Sequence, residues 1–193
     1  MTSTGQVPEV FTRRPKRADA RRNYDALVVA AREAFADNGA SASLEDVARR
    51  AGVGIGTLYR NFANRRELFE AVYVEEVRAL SGSAADLAEL PPWDSLVAWL
   101  HRFVAYVATK RALAEELLRD SEIFRSCRTE IYVAGEPMMH RAQAAGVVRA
   151  DISFDDVVRL ISGLTMAQFP STDQRDRVLG VALDGLRPAA TTR

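Results

Sequence analysis

Apolar residues recur at helical spacing along most of the chain. From residue 19 onward they fall three and four positions apart, the repeat of one buried face of an α-helix. Leu27, Ala31 and Phe35 predict a first helix, and Asn38-Gly39 would end it. No strand-length stretch with a period of two competes seriously with this pattern. The chain is therefore predicted to be all-α.

A short second helix is predicted from Leu44 to Ala51. Ser43 precedes it and Asp46 stands three residues on, which is a capping-box-like start. The hydroxyl can accept a backbone N–H, and the carboxylate favours the positive end of the helix. Gly52 follows, and glycine readily takes the left-handed conformation that ends a helix and redirects the chain. A tight turn is therefore predicted after the second helix.

A third helix is predicted directly after this turn. We expect Ile55, Leu58 and Phe62 to anchor it to the core, so that the residues between them face outward. Two short helices joined by a tight glycine-containing turn form a helix-turn-helix, whose second helix can enter the major groove of DNA. The outward residues are small, hydrogen-bonding or cationic, as a groove surface requires: Gly56, Thr57, Tyr59, Arg60 and Asn61.

The rest of the chain predicts a helical bundle. Asn64–Glu67 has a cap-like sequence and would open a fourth helix, before Pro91-Pro92 breaks the pattern. We divide the chain into a flexible basic arm (1–18), a three-helix helix-turn-helix DNA-binding domain (19–66), and a helical domain for effector binding and dimerisation (67–190). Further helical segments are expected near residues 93–109, 110–120, 122–146, 153–169 and 174–186, and Ser153–Asp156 and Asp173–Asp176 have the sequences of helix starts.

Composition excludes several classes of protein. The 193 residues are 48% hydrophobic and 27% charged, which is typical of a folded globular chain. The single cysteine, Cys127, excludes an internal disulfide framework, and no apolar run is long enough for export or membrane spanning, so a cytoplasmic protein with no membrane partner is expected. Two histidines and one cysteine, widely separated, leave little for a zinc site or a catalytic triad. We expect no enzyme activity, cofactor or metal.

Charge is distributed unevenly, although the formal net charge is zero. Residues 1–66 contain 12 Lys and Arg against seven Asp and Glu, a net of +5, while residues 67–193 contain 14 against 19, a net of −5. A basic run is often only a solvated tail. Together with the helix-turn-helix pattern, however, the basic N-terminal part favours a polyanionic partner.

The stretch around the third helix resembles the tetracycline-repressor (TetR) family of bacterial regulators. The residues that carry the resemblance are Ala51-Gly52-Val53, Thr57-Leu58-Tyr59, Phe62, Arg65 and Leu68. It is specific over roughly residues 20–70, and residues 146–151 and 183–188 are weaker matches. The resemblance implies a homodimer that binds a palindromic double-stranded DNA operator and is released from it by a small molecule bound in the C-terminal bundle.

The resemblance also implies roles for individual residues. Thr57, Tyr59, Asn61 and Arg65 would contact phosphates, whereas Ile55, Gly56 and Arg60 would lie nearest the base edges; Ser43, at the start of the second helix, completes the candidate DNA-binding set. Three residues depart from the usual pattern. Gly54 stands where Ser is frequent and removes an N-cap, Asn61 stands where His is common, and Arg66 occupies a position that is often acidic. Each could change the preferred DNA site.

Two sets of apolar residues in the C-terminal part have more than one interpretation. One set forms either a dimer seam or intramolecular core: Phe154, Val157, Leu160, Ile161, Leu164, Val178, Leu179, Ala182 and Leu186. The other could line a cavity for an apolar or aromatic effector, although ordinary packing is the better explanation of any single member: Trp99, Phe103, Tyr106, Leu117, Phe124, Met138 and Met139.

Three possible functions can be compared with these observations. A ligand-responsive dimeric repressor accounts for the helix-turn-helix, the charge distribution and the resemblance. A non-specific architectural DNA-binding protein is the alternative, but such proteins are usually strongly basic overall. An enzyme is disfavoured: the glycines at 52, 54 and 56 suggest a phosphate loop, yet no strand precedes them and no Gly-Lys-Ser/Thr follows.

Overall fold

The computed structural model describes residues 14–113 and 122–189, and over these residues the chain is helical, with no strand. The all-α prediction is confirmed. A 3-10 turn, Gly39–Ser41, follows the first helix. The helices of the described residues are α1 (Ala18–Asn38), α2 (Leu44–Arg50), α3 (Ile55–Asn61), α4 (Arg65–Asp86), α5 (Pro92–Leu113), α6 (Glu122–Ala144), α7 (Phe154–Met166) and α8 (Thr172–Asp184).

The described residues divide into two compact units. One comprises the described parts of Met1–Arg78 and Thr109–Thr129, and the other those of Ala79–Ala108 and Glu130–Arg193. The division falls within helices α4, α5 and α6. The three-part domain scheme drawn from the sequence stays a prediction.

The core of the N-terminal unit is built where α1 packs against α2 and α3. Leu27, Ala31 and Phe35 of α1 are buried, as the helical spacing predicted. Phe35 stacks on Phe69 of α4, with ring centroids 4.1 Å apart. Aromatic stacking of this kind adds about 0.5–1.5 kcal/mol beyond area burial. The first three helices are therefore fixed on a shared apolar core.

The other unit is organised around Trp99, which is fully buried. Its indole stacks on Phe103 with ring centroids 5.7 Å apart and contacts Phe154 of α7 at 5.8 Å. A Cβ atom at Gly135 of α6 would lie 2.3 Å from Phe154 and 2.8 Å from Trp99. Glycine at this position therefore lets both rings pack directly against the α6 backbone.

Local capping signals predicted several boundaries correctly. Gly39, after α1, has a φ of 54°. At the start of α4, Asn64 Oδ1 accepts the Glu67 backbone N–H at 3.0 Å. Ser153 and Asp156 form a full capping box at the start of α7. Because each of these contacts joins near neighbours in the chain, the sequence alone could predict them.

One predicted boundary is wrong. The break expected between residues 109 and 110 is absent, because α5 continues to Leu113. Neither Gly nor Pro occurs there, so nothing in the local sequence interrupts the backbone hydrogen bonds. Most of the segment expected at 110–120 lies outside the described residues, as do Leu117 and residues 1–13 of the basic arm. Within the described ranges, no helix combines the length and apolar character needed to cross a membrane.

Candidate nucleic-acid interface

Helix α2 begins as its sequence predicts. Ser43 Oγ accepts the Asp46 backbone N–H at 3.0 Å. The Asp46 carboxylate in turn accepts hydrogen bonds from Arg49 and Arg50, the latter at 2.8 Å. The Arg49 hydrogen bond is the main cause that holds the pKa of Asp46 below its ordinary value, with Arg50 adding to it. Both ends of this two-turn helix are thus tied by side-chain contacts.

The turn between α2 and α3 is a Schellman-type helix end. The Gly52 N–H donates to the Arg49 carbonyl at 3.1 Å, and the Val53 N–H donates to the Ala48 carbonyl at 3.0 Å. Gly52 has a φ of 68°, the left-handed conformation predicted for it. A residue with a Cβ would be strained there. The turn therefore requires glycine at position 52 because the backbone there is in the left-handed conformation.

Helix α3 has one strong attachment and a weak start. Gly54 occupies the N-cap position and contributes no side-chain hydrogen bond, as the missing serine predicted. Leu58 is fully buried, and the Phe62 ring contacts Tyr24 of α1 with centroids 5.1 Å apart. The helix is therefore held by its buried face more than by its cap.

The expectation that Ile55 anchors α3 to the core is wrong, because 37% of this residue is exposed. Ile55 is the first residue of a seven-residue helix. Cα–Cβ bonds tilt toward the N-terminus of a helix, so a side chain in this position leans past the packed part of α3. Leu58 and Phe62 make the buried contacts without it.

The remaining predicted residues of α3 form its outward face, and hydrogen bonds connect three of them. Tyr59 is 49% exposed and Arg60 is also exposed. Arg60 donates to Thr57 Oγ1 at 2.9 Å, and Asn61 Nδ2 donates to the Thr57 carbonyl at 2.8 Å. Thr57 therefore orients two hydrogen-bonding side chains from the next turn of the same helix.

Arg65 lies in a position that the sequence did not suggest. Its guanidinium donates to the Ala42 carbonyl and lies over the rings of Phe35 and Phe69, 5.7 and 5.1 Å from their centroids. These contacts join residues up to 30 positions apart, so no local pattern could indicate them. The phosphate contact that the resemblance implies for Arg65 stays a prediction.

Most arginines of the N-terminal unit are paired with carboxylates. Arg14 forms a two-point contact with Asp25, at 2.9 and 2.7 Å, and this hydrogen bonding raises the pKa of Arg14. Further pairs join Arg22 to Asp19, Arg49 and Arg50 to Asp46, and Arg66 to Glu70. Among the described residues, these cations have no carboxylate partner: Lys16, Arg17, Arg21 and Arg60.

The candidate effector residues fall into both units. Trp99, Phe103, Tyr106 and Met138 are buried in the unit around Trp99, where Phe103 also contacts Tyr106 with ring centroids 5.7 Å apart. Phe124 belongs to the N-terminal unit and stacks on Tyr73 at 5.0 Å.

The predicted seam on α7, α8 and the residue Leu186 after them divides into a buried set, an exposed set and two half-buried residues, Leu164 and Ala182. Phe154, Val157, Ile161, Leu179 and Leu186 are buried within the chain, whereas Leu160 and Val178 are 45% and 37% exposed. Sequence reasoning missed two further exposed residues, Met166 and Val181, the latter 73% exposed. The signal for Val181 was available, because it lies one turn after Val178 on the same helix.

A glycine turn joining two short helices, with a hydrogen-bonding outward face, is the arrangement of the helix-turn-helix class of DNA-binding proteins. Residues 27–72 match the family of bacterial regulatory proteins called the tetR family. Residues 91–188 match the C-terminal domain of SbtR-like transcriptional regulators. The chain therefore belongs to the TetR family of DNA-binding transcriptional regulators, and the predicted resemblance is confirmed.

Solved structures agree with this assignment. A TetR transcriptional regulator from Streptomyces coelicolor is 40% identical, with a TM-score of 0.76, over 86% of this chain and 99% of that one. A TetR regulatory protein from Mycobacterium vanbaalenii is 31% identical, with a TM-score of 0.70, over 90% and 100% of the two chains. A ketosteroid transcriptional regulator from Mycobacterium tuberculosis shares the fold at 20% identity and a TM-score of 0.58, over 91% and 100%.

Proposed function

We propose that the protein is a dimeric repressor that reads a palindromic DNA operator and releases it when a small apolar or aromatic effector binds. The observation that carries the DNA-reading part is the outward face of α3. Arg60 is exposed there, is oriented by Thr57, and has no carboxylate partner among the described residues. An arginine of this kind suits the two acceptors of a guanine edge.

The other candidate residues are assigned to the sugar-phosphate backbone. Thr57, Tyr59 and Asn61 carry hydroxyl and amide groups on the same short helix. Ser43 caps α2, the first helix of the motif, and Arg65 begins α4, the helix that follows the motif. Phosphate contacts fix the register of a protein on DNA without reading its sequence. Lys16, Arg17 and Arg21, near the start of α1, add positive charge that strengthens binding to any duplex.

Dimerisation is supported by the exposed face of α7 and α8. Leu160, Met166, Val178 and Val181 leave aliphatic surface in contact with water, although the same helices bury five other apolar residues. A second copy of the chain would cover such a face in an isologous contact. Two DNA-binding units then read two half-sites about 34 Å apart, or a multiple of that distance.

Effector binding is supported by the aromatic cluster around Trp99. Trp99, Phe103, Tyr106 and Met138 are buried together in one unit, and an apolar or aromatic compound suits such a lining. Trp99 Nε1 is buried and has no hydrogen-bond partner among the described residues. A buried donor of this kind can bind an acceptor atom of the effector. The effector is thus expected to combine an apolar body with at least one acceptor.

The test is fluorescence anisotropy of the full chain on the DNA upstream of its own gene and on a random duplex, at two salt concentrations. An operator-reading dimer is expected to prefer the upstream DNA by about 10³-fold or more. Equal affinity for both duplexes, followed by failure of a genome-wide selection to enrich any sequence, would favour a non-specific architectural protein. The operator complex can then be used to screen for compounds that release it.

A further inference from the structure

Gly56 has no evident role in the folded chain. It lies one residue into α3, and its φ is not positive, unlike those of Gly39, Gly52 and Gly146. A Cβ atom built at Gly56 meets no atom within 4 Å beyond its chain neighbours and its own helix backbone. Glycine is the poorest helix former after proline. Neither backbone conformation nor packing therefore accounts for the missing side chain.

The residues around Gly56 make a shallow notch in the exposed face of α3. Tyr59 and Arg60 follow at i+3 and i+4 and share this face of the helix. Ile55 and Tyr59, one helical turn apart, border Gly56 on one side, and both are substantially exposed. Arg60 is turned toward Thr57 by its hydrogen bond. The notch thus has a bare backbone floor, with the aliphatic side chain of Ile55 and the aromatic ring of Tyr59 along one side and Arg60 along the other.

We propose that this notch, formed by Ile55, Gly56 and Tyr59, receives the 5-methyl group of a thymine when α3 lies in the major groove. The inference rests on the proposed sequence-specific binding of DNA. The thymine methyl is the apolar group that base edges present in that groove, and apolar side chains read it by contact. A methyl group on residue 56 would occupy the same space. Gly56 therefore contributes to sequence specificity by leaving this space open for the thymine methyl group.

The chain offers a matched control for the loss of a helical glycine. Gly82 lies within α4, and a Cβ built there also meets nothing within 4 Å. Gly82→Ala and Gly56→Ala make the same chemical change in an open helical position, but only the second fills the notch. We expect both variants to keep or raise the urea midpoint of the wild-type chain, since alanine is the better helix former.

The experiment begins with selection of a preferred site from a random duplex library by the full-length wild-type protein. Each thymine of that site is then replaced by deoxyuridine, which removes only the methyl group, and dissociation constants are measured by anisotropy. At one thymine position in each half-site, replacement by deoxyuridine is expected to weaken wild-type binding about four-fold. This is the change in affinity that corresponds to burying one methyl-sized apolar group. Gly56→Ala should weaken binding to the thymine site and abolish the difference in affinity between the thymine and deoxyuridine sites. Gly82→Ala should bind the thymine site as tightly as the wild type and keep that difference.

The possible failures are distinguishable. If a site is selected but no thymine replacement changes wild-type affinity, the notch proposal is overturned while sequence-specific binding stands. A thymine preference that Gly56→Ala retains in full would overturn it as well, because the methyl would then be read elsewhere on the protein. If no sequence is enriched at all, the proposed function fails, and the notch fails with it. The deoxyuridine series on the wild-type chain tests methyl recognition even if Gly56→Ala does not fold.

Discussion

Helices α3 and α7 each present an exposed face, but they are built in opposite ways. Helix α3 has seven residues, no side-chain cap and one fully buried side chain, Leu58. Helix α7 has 13 residues, a complete capping box and three buried side chains. The outward face of α3 is mainly polar, with hydroxyl, amide and guanidinium groups, whereas α7 and its neighbour α8 expose several aliphatic side chains.

This difference indicates what each helix is suited to meet. A hydrogen-bonding face with an available cation suits the polar edges and phosphates of DNA. An aliphatic face suits another aliphatic face, and a second copy of the chain supplies one. Because α3 is short and has no side-chain cap, its contacts with neighbouring helices contribute much of its order. Substitutions on each helix should therefore affect different measurements.

The largest effect on dimerisation and operator binding is expected for Val181→Glu, on the exposed face of α8. A glutamate would be unpaired in an apolar contact between two copies, and burying an unpaired charge is costly. Light scattering should show the mass of one chain where the wild type shows two. Loss of two-site binding should lower operator affinity about 100-fold.

Val133→Glu is the control for this prediction. Val133 is 58% exposed on α6, so the same change is made outside α7 and α8. This variant should keep the wild-type mass and operator affinity. If Val181→Glu stayed dimeric with unchanged affinity, the aliphatic face of α8 would not be the seam.

Arg60→Ala is expected to have the next largest effect, on α3. Loss of a two-point contact to a base should cost about 1–3 kcal/mol of operator binding and relax specificity at one position. Competition titrations with single base-pair variants of the operator measure both quantities. Arg66→Ala provides the comparison, because Arg66 is already paired with Glu70. An equal loss on operator and random DNA would count against a base contact for Arg60.

The sequence predicted the local features of α2 and α3 well. Ser43, Gly52 and Gly54 act through backbone groups within a few residues, so their pattern is visible in the chain itself. The buried side of α3 also follows from apolar spacing, at Leu58 and Phe62. These features depend on contacts of short sequence separation, which makes them readable without a structure.

Features that depend on distant residues were missed or misread. The sequence did not indicate that the Arg65 guanidinium contacts Phe35 and the Ala42 carbonyl, 30 and 23 positions away. The α7–α8 set was identified as apolar, yet spacing alone could not separate buried Ile161 from exposed Leu160. Apolar periodicity identifies a face and does not say whether the same chain covers it.

Substitutions at the N-cap positions of α7 and α3 should change the free energy of unfolding in opposite directions. Ser153→Ala removes the capping hydroxyl of α7 and should lower the free energy of unfolding by about 1 kcal/mol. Gly54→Ser supplies α3 with the cap that it lacks and should raise stability by a few tenths of a kcal/mol. Urea unfolding of each variant measures the difference. A stabilising Ser153→Ala, or a clearly destabilising Gly54→Ser, would contradict the contrast drawn between these helices.

The smallest expected effect is a pH dependence at the start of α7. The Asp156 carboxylate accepts hydrogen bonds from the Ser153 hydroxyl, at 2.7 Å, and from the Ser153 backbone N–H, at 2.8 Å. These bonds, the hydroxyl first, hold the pKa of Asp156 below its ordinary value of 3.8. A carboxylate with a lowered pKa stabilises the folded chain above its ordinary value, and this stabilisation is lost as pH falls through the lowered value.

Asp156→Asn should therefore be less stable than the wild type at neutral pH, and the gap between the two should narrow as the pH falls below 3.8. Asp173→Asn is the control, because Asp173 also lies in the first turn of its helix, α8, but is not the partner of the capping serine there. It measures the stabilisation that any first-turn carboxylate provides through the helix dipole. Urea midpoints from pH 7 to pH 3 give both differences. A gap for Asp156→Asn that stayed constant over this range would show that the capping box acts by geometry, without a contribution from the charge of Asp156.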